Sequence, residues 1–280
     1  KSRRVRLVMR RSTISSGVFL TWAYFTAFFA QASLYEAHLL HPTGFTSSFG
    51  QGVSGNHQVG FGSGTGTGGL DHALLWSGTA ASYVDLNPTG FYETRALGVS
   101  GNSQVGSGAG SATGNKTHAL LWSGTAASYV DLHPAGIDNS SVARGVSGNS
   151  QVGQAAGTAT GGQAHAILWS GTAASAVDLH PTTGFSSSQR FGVSGSNQVG
   201  RGRGTATGGE NHALLWSGTA ASAVDLNPTG FTYTFANGVS VNTQVGAGVG
   251  TATGGLDNAL VWSGTAGSYI NLHPFLAGLG

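Results

Sequence analysis

Four histidines and four aspartates stand at one fixed distance. His72 precedes Asp85, His118 precedes Asp131, His165 precedes Asp178 and His212 precedes Asp225, each by 13 residues. An imidazole beside a carboxylate is the pair that orients a general base or supplies two ligands to a metal. Catalysis at four such pairs would need a nucleophile repeated beside each, and a metal would need a third or fourth converging ligand. The repeats supply neither. In a fifth copy both members change together, to Asn258 and Asn271, as partners in a cross-strand bond would. A hairpin turn centred on Gly78-Thr79 predicts that Trp76 faces Ala81, Leu74 faces Tyr83 and His72 faces Asp85. Residues opposed in this way have Cβ atoms about 4.5–5.5 Å apart. The pairs therefore read as structural clasps; no residue is assigned a catalytic or metal-binding role, and no cofactor is implied.

The clasps sit in a repeat. The string HALLWSGTAASYVDLNPTGF at 72–91 returns at 212–231 with Tyr83 replaced by Ala223. Trp76, Trp122, Trp169, Trp216 and Trp262 are spaced by 46, 47, 47 and 46 residues, and a block GVSGN followed by QVG recurs with them. Each unit has four strand-like runs, in the second unit 93–100, 103–112, 117–122 and 128–133. Gly101-Asn102 joins the first two as a tight hairpin, and Ser123-Gly124-Thr125-Ala126 joins the last two. The expected fold is all-β: a β-propeller of five four-stranded blades of 46–47 residues, at 43–88, 89–134, 135–181, 182–228 and 229–274. The alternatives are six blades with one degenerate, and a parallel β-helix; the repeated hairpin turns count against the helix. Residues 33–42 read as a degenerate half-blade or closing strand, continuous with the exit-loop pattern up to Phe45, and 275–280 as a short tail.

Composition narrows the function. There is no cysteine, which excludes disulfide scaffolds, thiol catalysis and cysteine-ligated zinc. Six of the twelve cations fall in the first eleven residues; from residue 33 onward six cations face ten acids, a formal charge of −4. A basic nucleic-acid-binding face is not expected on that body. Arg10-Arg11, the apolar run Gly17–Ala30 and Ala30-Gln31-Ala32 have the order of a secretory signal peptide over 1–32. The only methionine, Met9, is a natural start, so 1–8 read as lying outside the natural protein. The expected location is secreted, extracellular or cell-surface, with no membrane span once the signal is removed.

Tryptophan and tyrosine faces often bind sugars, but HALLW is apolar on both sides and reads as core. The glycines of QVGSGAG (104–110) read as backbone crowded near a propeller axis. Between units the segments 46–51, 92–97, 137–144, 185–191 and 232–237 vary most. They read as binding loops on a rigid scaffold, with Tyr92, Glu93, Arg95, Asp138, Arg144, Gln189, Arg190 and Tyr233 as candidate contacts.

His-Ala-Leu-Leu-Trp, then Val-Asp-Leu, Gly-Val-Ser-Gly-Asn and Gln-Val-Gly over 43–274 resembles the HAF-type extracellular repeat of bacterial proteins. Leu74 and its equivalents stand where that family has phenylalanine, and Asn-Pro or His-Pro stands where it has glycine after Asp-Leu. The resemblance implies export and carries over no catalytic residue. Together these readings point to a secreted, non-enzymatic module that binds an extracellular glycan or surface protein. A self-assembling matrix protein is the second reading and a glycan-active enzyme the third.

Overall fold

The computed structural model describes residues 37–276; the expected export signal at 1–32 and the start at Met9 lie outside the described residues, as do 33–36 and 277–280. The described residues from His38 onward form one compact unit that holds every described strand. The first sheet contains β1 (Phe45–Ser54), β2 (His57–Gly64), β3 (His72–Trp76) and β4 (Val84–Asp85). The second contains β5 (Glu93–Ser100), β6 (Ser103–Ala109), β7 (His118–Trp122) and β8 (Val130–Asp131). The third contains β9 (Ser140–Ser147), β10 (Ser150–Ala156), β11 (His165–Trp169) and β12 (Val177–Asp178). In the fourth are β13 (Ser187–Ser194), β14 (Asn197–Arg203), β15 (His212–Trp216) and β16 (Val224–Asp225), and in the fifth β17 (Phe231–Ser240), β18 (Thr243–Gly250), β19 (Asn258–Trp262) and β20 (Ile270–Asn271). In each sheet the strands lie side by side in chain order and pair antiparallel. That pairing within the repeat replaces the coil-to-coil parallel pairing of a β-helix. The fourth strand has shrunk to two residues, where the sequence predicted six.

Each recurring motif has a job. In QVG of the second repeat, Gln104 is fully buried; its Oε1 accepts from Gly124 N–H at 2.7 Å and its amide donates to Asn102 O at 2.9 Å. One side chain thus ties the two hairpin turns of a sheet together. Val105 enters the core. Gly106 is required because a Cβ there would lie 1.8 Å from Arg95 O, where β5 bulges between Ala96 and Gly98. The crowding predicted at a propeller axis is therefore crowding inside the sheet, against the bulged neighbour strand. In WSGTAAS, Ser128 Oγ accepts from Ser123 N–H at 2.8 Å and donates to Thr125 O at 2.6 Å, closing a 3₁₀ turn over Ala126–Ser128.

Sheets stack on their sequence neighbours through joints, each with its own apolar filling. Val59, Ala73, Leu75 and Leu86 of the first sheet share a buried cluster with Phe91, Ala96, Leu120 and Trp122 of the second. Trp76, Trp122, Trp169, Trp216 and Trp262 are all buried, so none offers a face to a sugar. Truncating one such tryptophan to alanine costs about 3–5 kcal/mol. Among the described residues, each sheet packs on the next in chain order, and no strand of the last sheet packs in this way on a strand of the first.

Candidate functional site

The predicted clasps are present as hydrogen bonds, but the register differs from the one expected. Leu74 faces Asp85 and Leu75 faces Val84, because the 3₁₀ turn Ala80–Ser82 shifts the pairing by two residues. His72 therefore reaches Asp85 diagonally, its Nδ1 lying 2.7 Å from Oδ2. His118–Asp131 and His165–Asp178 repeat this at 2.7 Å, and His212–Asp225 at 2.6 Å. The second carboxylate oxygen is also taken: Asp85, Asp131, Asp178 and Asp225 each accept the N–H two residues on at 2.8 Å. In the fifth sheet Asn271 keeps that second bond, to His273 N–H at 2.9 Å, while the buried Asn258 Oδ1 has no partner. Among the described residues, no three His, Asp or Glu side chains converge as metal ligands would.

Beside each clasp runs a relay that the sequence reading missed. Ala73 N–H donates to Thr94 Oγ1 of the next sheet at 2.9 Å, and Thr94 donates to Asn87 Oδ1 at 2.9 Å. Between the second and third sheets Ala119 N–H donates to Ser141 Oγ, which lies 2.8 Å from His133 Nδ1, and His133 Nε2 lies 2.7 Å from Ile137 O. That geometry suits a neutral imidazole, with Nε2–H donating to the carbonyl and Nδ1 accepting from the serine. His133 stacks on His118 at 3.8 Å and His180 on His165 at 3.9 Å. Burial lowers the proton affinity of His133 and of His180. For Asp178, burial raises the pKa, yet the bonds from His165 and from His180 N–H outweigh it and leave the carboxyl below its usual range. A signal was available: Asn87 and Asn227 go with Thr94 and Thr234, whereas His133 and His180 go with Ser141 and Ser188.

The variable segments prove to be strands rather than loops. Glu93, Arg95, Arg144, Gln189, Arg190 and Tyr233 lie in the first strand of their sheets; Tyr92 and Asp138 lie just before one. Along these strands alternate residues leave on opposite faces: Thr94 and Ala96 are buried against the preceding sheet, while Arg95 between them is exposed. Arg95 pairs with Asp71 of the preceding repeat, its Nη2 lying 2.8 Å from Oδ2. Asp138 accepts from the hydroxyl and N–H of Thr158, and the hydroxyl's bond is the main reason its carboxyl is held below the usual range. Arg144 is half-buried with Nε unpartnered, and burial, then the nearby Arg201, lower its pKa. Tyr233 stacks on Phe235, while Tyr92 is 43% exposed.

Gln189 alone among these candidates lines the pocket in the fourth sheet. The cavity, about 230 Å³, is walled by Ser187, Ser188, Gln189, Arg201, Arg203 and Asn211 with the backbone of Gly202 between the arginines. Arg201 is oriented by Gln189, whose Oε1 accepts from Nε at 3.1 Å and Nη2 at 2.8 Å. Arg203 is exposed. No acid lines this cavity. At the same place in the second sheet the cavity is about 90 Å³ and is lined by Glu93, Thr94, Arg95, Ser107, Gly108 and Thr117. There the arginine is already paired with Asp71, so of these two cavities the one in the fourth sheet leaves cationic donors open. No family model matches the chain, and no curated protein matches it.

Proposed function

We propose that the chain is a secreted, non-enzymatic binding module built of propeller-like blades, and that the pocket of the fourth sheet takes an acidic glycan. The observation that carries this is the pairing of Arg201 and Arg203 in a polar pocket with no carboxylate, flanked by Gln189, Asn211 and two serines. Guanidinium forks match carboxylate or sulfate oxygens, and the amides and hydroxyls match sugar hydroxyls. Resemblance of the repeat to exported HAF-type units supports an extracellular place of action. The test is a glycan array probed with the full chain and with Arg201→Gln and Arg203→Gln. Binding to carboxylate- or sulfate-bearing sugars, weakened in both variants and by salt, is the expected result. A blank array, or binding that both variants retain, would remove the pocket from the function.

A further inference from the structure

The last sheet ends on a face that every other sheet keeps covered. Val59, Val105, Val152 and Val199 are fully buried in the joints, yet their counterpart Val245 is 45% exposed. Ala73, Ala119, Ala166 and Ala213 are likewise buried, while Ala259 is exposed. Leu272 is 37% exposed where Leu86, Leu132, Leu179 and Leu226 are fully buried. The first sheet presents the opposite half of a joint. Trp76 lies beside a cavity of about 330 Å³ whose other walls are Leu39, Leu40, His41, Ser48, Phe49 and Gly50. In the joint between the first and second sheets, the Val59 and Ala73 side chains share the cluster of the next sheet's Trp122. Among the described residues, no preceding sheet supplies them beside Trp76.

We propose that the last sheet of one copy docks on the first sheet of a second copy, so that the joint found four times within the chain is continued between molecules. The partner is a copy of this chain because the exposed face of the last sheet and the Trp76 face of the first carry the two halves of one repeated interface, and because, among the described residues, the last sheet does not pack on the first as neighbouring sheets do. The contact joins two different faces, so it is heterologous and propagates: it closes a ring of copies if the rotation allows and otherwise builds a filament.

The segment before β1 regulates this contact. Leu40-His41-Pro42 has the pattern of Leu132-His133-Pro134, the exit from a preceding sheet. His41 makes the corresponding bonds, with Nδ1 2.8 Å from Ser48 Oγ and Nε2 3.0 Å from Phe45 O. Leu272-His273-Pro274 of an incoming copy carries the same triplet and claims the same slot. The segment is thus a plug that docking must displace.

Sedimentation velocity of the full chain over a wide concentration range tests this. Mass that grows with concentration is expected for the wild type, and a monomer for Val245→Asp combined with Ala259→Asp, with an unchanged far-UV spectrum because both positions are exposed. Leu40→Ser loosens the plug and should lower the concentration of half-association roughly ten- to a hundredfold. A second reading uses Gly50→Cys, at the place of Ala96, with Val245→Cys, at the place of Val59, under oxidation: a disulfide between chains supports the proposal, and one within a single chain means self-closure and overturns it. A wild type that stays monomeric, or association that the double aspartate variant keeps, also overturns it.

Discussion

Between the first and second sheets, Ala96 belongs to a joint of eight buried apolar residues; between the third and fourth, Arg190 stands in the alanine's place and the buried cluster contracts to Ala166, Leu179, Leu214 and Trp216. Arg190 is fully buried, its guanidinium 4.4 Å over the Trp216 ring, and none of its three nitrogens has a partner. Burial pushes that guanidinium down to about 8. The two joints are also latched differently, by Asn87 with Thr94 in one and by His180 with Ser188 in the other. A repeat that forms its joint by apolar fit can therefore absorb a cation, and the stack on tryptophan is the only compensation visible. The same strand serves the pocket: Gln189 lines the cavity and Arg190, one residue on, enters the joint, as strand alternation requires.

The largest effect comes from copying the odd joint into the ordinary one. Ala96→Arg buries an unpaired charge beside Trp122 and is expected to lower unfolding free energy by about 3–5 kcal/mol. Urea titration of the variant measures it; a loss under about 1 kcal/mol would mean these joints adapt to guanidinium at little cost. The converse change is smaller. Arg190→Met keeps the length of the side chain over Trp216 and removes the charge, for an expected gain of about 1–3 kcal/mol after the lost cation–π contact. Were stability to fall instead, the stack would have to outweigh the desolvation.

Legibility in the sequence divides along the same line. Strands and turns of every repeat could be read, since glycine turns and alternating apolar runs are local signals. The hairpin register could not: Ala80–Ser82 looks like the start of a strand and folds as a 3₁₀ turn, moving Asp85 from opposite His72 to opposite Leu74. Variation between repeats reads as loop structure in the sequence because exposed strand residues are as free to change as loop residues. Arg190 reads as a surface contact in the sequence, whereas its burial depends on the neighbouring sheet, which no local pattern encodes. The exposed face of the last sheet has the same origin. Repetition tells that each sheet meets the next, but the angle between sheets decides whether the last meets the first.

Acid separates the two latches. Burial, and then the stacked His165, make His180 a weaker base when folded than at its ordinary 6.5. The unfolded chain therefore takes up the proton first, and the stability this histidine contributes above 6.5 is lost as pH falls below it. Asp178 acts in a separate window, losing its contribution only below about its ordinary 3.8. Replacing His180 and Ser188 by the other latch, His180→Asn with Ser188→Thr, should flatten the fall in stability from neutral to pH about 5. Urea midpoints at the two pH values give the slope, and an unchanged slope would place the acid sensitivity elsewhere, His133 being the next group to replace.

The smallest effect belongs to the most conspicuous contact of the ordinary joint. Arg95 and Asp71 bridge the first and second repeats at 2.8 Å, but the arginine side chain is 51% exposed. Water and salt screen such a pair, so Arg95→Ala should cost less than about 0.5 kcal/mol, even with its 5.1 Å approach to the Phe61 ring. A loss above about 1 kcal/mol would shift the strength of this joint from the apolar cluster to its rim. The contrast with the Arg190 joint would then be one of ion pairing rather than of packing.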